Sequence, residues 1–169
     1  MEKKIFYFGY GANAHPEMIE ALLGRKIKGK KATLKNYGLF LQSFSEIPLK
    51  AQSLLQKSGW GETFLSYIIT PCKTSVVHGT LWEMTQKERD IIGEWELHNL
   101  WYTPVRTKVR LGSKILAVQT EILPIYSSDQ KPIQTEKYLR YPNSKKKMLI
   151  IARNLRKSLT KKNYFSRKE

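Results

Sequence analysis

An α+β fold is predicted for this chain by three observations. An apolar run at the N-terminus leads through a glycine loop into a helix, the middle carries β-branched and aromatic runs ending in a hairpin, and an amphipathic helix lies near the C-terminus. The 169 residues fit one domain, 1–169, because domains cluster at roughly 100 to 150 residues. Hydrophobic and aromatic fractions of 41% and 11% are those of a globular protein. The longest apolar stretches, such as Met148 to Ala152, are far too short to cross a bilayer, so a soluble protein with no membrane partner is expected.

Ile5 to Tyr10 is nearly continuous apolar and aromatic sequence, the pattern of a strand buried on both faces. Pro16 suits a first helical turn, Met18, Ile19, Leu22 and Leu23 form an apolar face, and Gly24 ends the helix. A second strand is centred on Tyr37 to Leu41. The polar stretch from there to Gly61 has no assignable pattern beyond a few apolar residues at Leu49 to Leu55. Thr63–Thr70 is expected as a strand ended by Pro71, and Ser75–Met84 as the next, with Gly79 marking a bulge or a close backbone approach.

Thr85 and Glu88 have the spacing of a capping box, followed by a helix with Ile91, Ile92 and Trp95 inward that ends near Glu96. Val105, Thr107 and Val109 alternate with basic residues, Gly112-Ser113 turn the chain, and Ile115–Leu123 returns as the second arm of a hairpin. Pro124–Asn143 reads as a loop-rich connection. From about 143, Met148, Ile151, Ala152, Leu155 and Leu159 recur at helical spacing among lysines and arginines, giving a basic amphipathic helix and tail.

The net charge of +16 concentrates in Arg25–Lys35 and Lys145–Lys168. Such charge steers anions and is compatible with nucleic acid, but no zinc-ligand spacing or aromatic-basic RNA signature accompanies it, and a solvated basic surface is the favoured reading. The single cysteine, Cys72, forms neither an internal disulfide nor a cysteine metal site and reads as a small apolar residue. A reducing, cytoplasmic setting is therefore expected. The charged N-terminus runs at once into Ile5–Phe8, without the build of a signal peptide.

The usual catalytic sets are absent. His15, His78 and His98 are scattered without metal-ligand spacing, and neither a serine-nucleophile elbow nor a phosphate-binding loop occurs. What remains is the loop Gly9–Asn13, the acids near the central helix, and Tyr102. A loop between a strand end and a helix start leaves N–H groups unpaired, and glycines let a ligand approach them. The plainer reading is a tight turn with Asn13 as a helix cap. Glu94 and Glu96 flank Trp95, both at an edge of the apolar face, and periodicity does not choose between them. A carboxylate pressed against Trp95 and Trp101 loses solvation, so its pKa rises toward neutrality, where it can both accept and deliver a proton.

The segments "YFGYGAN", "VVHGTLWEMT" and "WELHNLWYTPV", in this order and spacing, resemble the γ-glutamylcyclotransferase-like (AIG2-like) family, and "YPNSKKKMLIIA" is similar to the segment that opens its C-terminal helix. The resemblance runs from Ile5 to about Leu159. It implies a small curled mixed β-sheet or barrel with a few flanking helices. It also implies an acyltransferase or lyase type of enzyme that releases 5-oxoproline from γ-glutamyl amines or peptides and uses no metal or cofactor.

Matched residue by residue, Tyr10, Gly11, Ala12 and Asn13 fall on the substrate-binding loop, Glu96 on the catalytic glutamate and Tyr102 on the downstream tyrosine. Ala12 stands where serine is usual. Where some cyclotransferases carry another tyrosine, this chain offers Thr120 or Glu121, and a second acid there would alter substrate choice. The rival readings are a non-catalytic γ-glutamyl- or anion-binding module of the same fold, and a nucleic-acid-associated basic protein.

Overall fold

The computed structural model describes residues 3–134 and 140–165, so parts of the loop before Asn143 and the end of the basic tail, including Lys168, lie outside the described residues. Among the described residues five strands and four α-helices follow one another: β1 (Lys4–Gly9), α1 (Pro16–Leu23), β2 (Lys30–Ser43), α2 (Leu49–Lys57), β3 (Leu65–Thr85), α3 (Gln86–Trp95), β4 (Thr103–Leu111), β5 (Lys114–Ile122) and α4 (Lys145–Phe165). The strands close into a barrel in the order β1-β3-β2-β4-β5. All neighbours are antiparallel except the closing pair, where β1 meets β5 in parallel at Tyr7 and Gln119.

Strand alternation sends β1 side chains in two directions. Phe8 and Tyr10 join Leu34, Ile69, Leu81, Val109 and Val118 in one core cluster, whereas Tyr7 joins Trp82 and Met84 in a second, beneath the helices. That two-sided burial is why the run reads as continuous apolar sequence. The inner face of α4, with Met148 and Ala152 buried, packs on the same helical side. Its basic residues, such as Lys146, Arg153 and Lys157, face outward. Among the described residues no helix is long and apolar enough to cross a membrane.

Two expectations are corrected. The strands anticipated at Thr63–Thr70 and Ser75–Met84 are one strand, β3, and Pro71 does not end it. Pro71 stands opposite Tyr37, where the β2–β3 register shifts between Lys35 and Tyr37 and Asn36 takes φ 64°. A bulge already interrupts the ladder there, so a missing N–H is tolerated. The same pairing makes β2 longer than the Tyr37–Leu41 core expected for it. The unassigned stretch contains α2, whose weak period has a simple cause: only Ala51 and Leu55 are buried in it, and Leu49 is 81% exposed.

Other expectations hold in detail. Gly24 caps α1. Thr85 Oγ1 accepts from Glu88 N–H at 3.3 Å while Thr85 N–H donates to Glu88 Oε2 at 2.9 Å, closing the capping box of α3. Gly79 is a close approach: a Cβ there would collide with the carbonyl oxygen of Gly9 and the ring of Phe8.

Candidate active site

The chain leaves β1 at Gly9 and makes a 3-10 turn, Gly11–Ala14, before α1 begins. Gly11 has φ +57°, a conformation that favours glycine, and a Cβ on it would press on the Tyr67 ring at 3.0 Å. The turn is fastened from below, where Trp82 Nε1 donates to the Asn13 carbonyl at 2.9 Å and Thr80 Oγ1 donates to the Ala14 carbonyl at 2.8 Å. The first N–H groups of such a turn, those of Gly11 and Ala12, have no carbonyl one turn back to bond.

Asn13 does not cap α1. The N-cap is His15, with no side-chain cap. Asn13 turns inward, 4% exposed, and its Nδ2 donates to the Tyr7 hydroxyl at 2.9 Å and to Glu96 Oε1 at 2.5 Å. Its Oδ1 is buried with no hydrogen-bond partner among the described residues. Two donations from one amide fix which way the side chain points.

Glu96 is the C-cap residue of α3. Its carboxyl is pushed up to about 8, by burial first and by the charge of Glu121 second, against the opposing effects of the Asn13 hydrogen bond and Arg89. Glu94, two residues earlier, is exposed, though it reaches the cavity rim. The geometry thus separates the two acids that periodicity leaves equal.

The cavity encloses about 140 Å³. Tyr10, Gly11, Ala12, Asn13, Glu96 and Tyr102 all line it, so every residue singled out on sequence reaches one place. Two of them face it through their frameworks. The Tyr10 hydroxyl donates to the Glu121 carbonyl at 2.9 Å, and the Tyr102 hydroxyl donates to the Tyr67 carbonyl at 2.8 Å and lies 2.8 Å from Ser66 Oγ. Burial, then neighbouring ionisable groups including Glu96, holds the phenols of both well above the ordinary tyrosine range, so they stay neutral donors. Trp60 and Phe64 before β3, with Met148 and Ile151 of α4, supply apolar walls.

The alternative of Thr120 or Glu121 resolves by strand parity. Thr120 turns into the barrel and bonds the Phe8 carbonyl at 2.8 Å, while Glu121 lies on the other face, beside the cavity. Glu121 Oε1 is 2.5 Å from Arg89 Nη2 and 2.9 Å from His98 Nε2. Sequence reading missed Arg89, and a signal existed: it falls three positions before Ile92 and seven before Glu96, on the same helical face. His98, scattered from the other histidines in sequence, is a hydrogen-bond partner of that carboxylate. Among the described residues no cluster of three His, Cys, Asp or Glu side chains is placed to hold a metal ion.

Solved structures share this architecture. A gamma-glutamyl cyclotransferase superimposes with TM-score 0.55 at 18% identity, over 74% of this chain and 69% of that one. The chain has a γ-glutamyl cyclotransferase-like fold. A human protein described as uncharacterized matches with TM-score 0.56 at 18% identity, over 90% of this chain and 80% of its own. An Arabidopsis thaliana protein matches with TM-score 0.56 at 20% identity, over 79% and 77% respectively. No family model and no curated protein sequence matches the chain. The cyclotransferase-like fold is the curled barrel with flanking helices expected above.

Proposed function

We propose that this protein is a cyclotransferase-type enzyme that releases 5-oxoproline from γ-glutamyl amines or peptides, with Glu96 as general base and acid. The observation that carries the reading is one contact: Glu96, with its pKa near neutrality, is hydrogen-bonded to Asn13 of the glycine loop inside a common cavity.

In this reaction the substrate brings its own nucleophile. Its α-nitrogen attacks the γ-carbonyl carbon, a five-membered lactam closes, and the bond from that carbon to the leaving nitrogen breaks. Two protons leave the α-nitrogen and two reach the leaving nitrogen. Glu96 carries them in turn, the first taken from the α-ammonium and delivered as the intermediate collapses, the second taken from the acylated nitrogen and given to the departing amine. A pKa near the working pH suits a group that must both take and give.

The protein's other task is geometric. Folding a flexible glutamyl chain into its attacking conformation can lower the barrier by several kcal/mol, on the order of 7 to 11 at best. The rigid wall of Tyr10, Tyr102 and Trp60 supports that conformation, and the N–H groups of Gly11 and Ala12 offer donors to a carboxylate or a developing oxyanion. Ala12 supplies its N–H without the hydroxyl that serine would add. The test is 5-oxoproline release from γ-glutamyl amino acids, γ-glutamylamines and glutathione. Release from at least one of them supports the reading, and silence across all from folded protein favours the binding module.

A further inference from the structure

Glu121 is 1% exposed, on the outward face of β5 and beside the cavity that holds Glu96. A carboxylate this deep is costly unless it is paired. Arg89, itself 2% exposed, pairs it, and Arg89 is in turn anchored by Nε donating to Gln119 Oε1 at 3.2 Å and by its position over the Tyr7 ring, 4.7 Å from the centroid. His98 Nε2 lies 2.9 Å from the same carboxylate. Both contacts fall on Oε1. Among the described residues Oε2 accepts no hydrogen bond, and Glu121 lines the cavity.

A buried carboxylate with one oxygen tied back and the other left to a cavity is built to receive a cation. A γ-glutamyl compound has one cationic group common to the whole class, its α-ammonium, and this is the group whose proton Glu96 takes. We propose that Glu121 is the α-ammonium subsite, receiving that group at Oε2, while Arg89 and His98 are positioning residues that hold Oε1. The inference rests on the cyclotransferase reading above.

A consequence follows for Glu96. In the free protein the charge of Glu121 helps keep Glu96 protonated. An ammonium group seated between the two carboxylates neutralises that repulsion and favours ionisation of Glu96, so the substrate helps generate its own base. The hydroxyls of Tyr7, Tyr10 and Tyr102 are held neutral by burial first and by nearby ionisable groups, and Arg89 and His98 are engaged on Oε1.

The test uses two probes in the Glu96→Gln protein, which spares them from turnover: a γ-L-glutamyl-n-butylamide, and the glutaric acid mono-n-butylamide that lacks only the α-amine. Calorimetry is expected to show the amine probe binding at least about tenfold tighter. Adding Glu121→Gln should reduce that ratio to about threefold or less, and His98→Leu should weaken the amine probe while leaving the desamino probe unchanged. Because Glu121→Gln leaves Arg89 buried without its counter-charge, the ratio is also read with Arg89→Met and Glu121→Gln combined, which removes both partners and is less disruptive. The same loss is expected.

An unchanged ratio in both Glu121 variants overturns the subsite, as does equal binding of the two probes, or binding of neither, before Glu121 is altered. Turnover by the wild-type protein is scored separately. Discrimination between the probes without 5-oxoproline release would contradict the reaction and leave the subsite standing, and turnover without discrimination would do the reverse.

Discussion

Asn13 Nδ2 and Glu96 Oε1 lie 2.5 Å apart, joining the glycine loop to the end of α3 across 83 positions of sequence. The contact favours the ionised carboxylate against burial and against Glu121. Asn13→Ala removes it, so the Glu96 pKa should rise further and the rate at neutral pH should fall. A hydrogen bond to a charged group contributes about 1.5 to 3 kcal/mol, which corresponds to roughly ten- to a hundredfold in kcat/KM. A pH–rate profile of the variant checks both the fall and its direction, since the rising limb must move to higher pH.

Glu96 must be ionised to accept a proton, and with a pKa of about 8 only about a tenth of it is ionised at neutral pH in the free protein. kcat/KM should therefore climb about tenfold between about pH 7 and pH 9, before titration of the substrate amine limits it. A profile flat across this range would contradict Glu96 as the base.

Stability should run the other way. A carboxyl whose folded-state pKa is raised binds its proton more tightly when folded, so its contribution is complete below the ordinary value of 4.5. It is lost as pH rises through about 8. Urea unfolding is expected to show stability falling by up to a few kcal/mol across that window, and the slope should flatten in Glu96→Gln. The comparison isolates Glu96 from the other titrating groups.

Thr85→Ala opens the capping box of α3, whose far end carries Glu96. The expected cost is about 1 kcal/mol, read as a lower urea midpoint with an unchanged slope. The active-site geometry should survive, because Asn13 holds Glu96 at the other end.

Much of this was legible locally. The two-sided burial of β1, the capping box at Thr85 and Glu88, and the Gly112-Ser113 hairpin each follow from chemistry within a few residues. What escaped is set by partners far along the chain. Pro71 stays inside β3 because of a bulge on β2, and α2 shows little period because only two of its residues meet the core. Which of Thr120 and Glu121 faces the cavity depends on the parity of β5 in the closed barrel, a relationship between distant strands. Asn13 looked like a cap by position. Its inward turn depends on Tyr7 and Glu96 being there to accept.

The most direct measurement is 5-oxoproline release from the γ-glutamyl panel by wild-type protein and by Glu96→Gln, with circular dichroism confirming that both are folded. Release by the wild type that falls at least about a hundredfold in the variant is the predicted result. Undiminished release from folded Glu96→Gln would contradict the role assigned to Glu96.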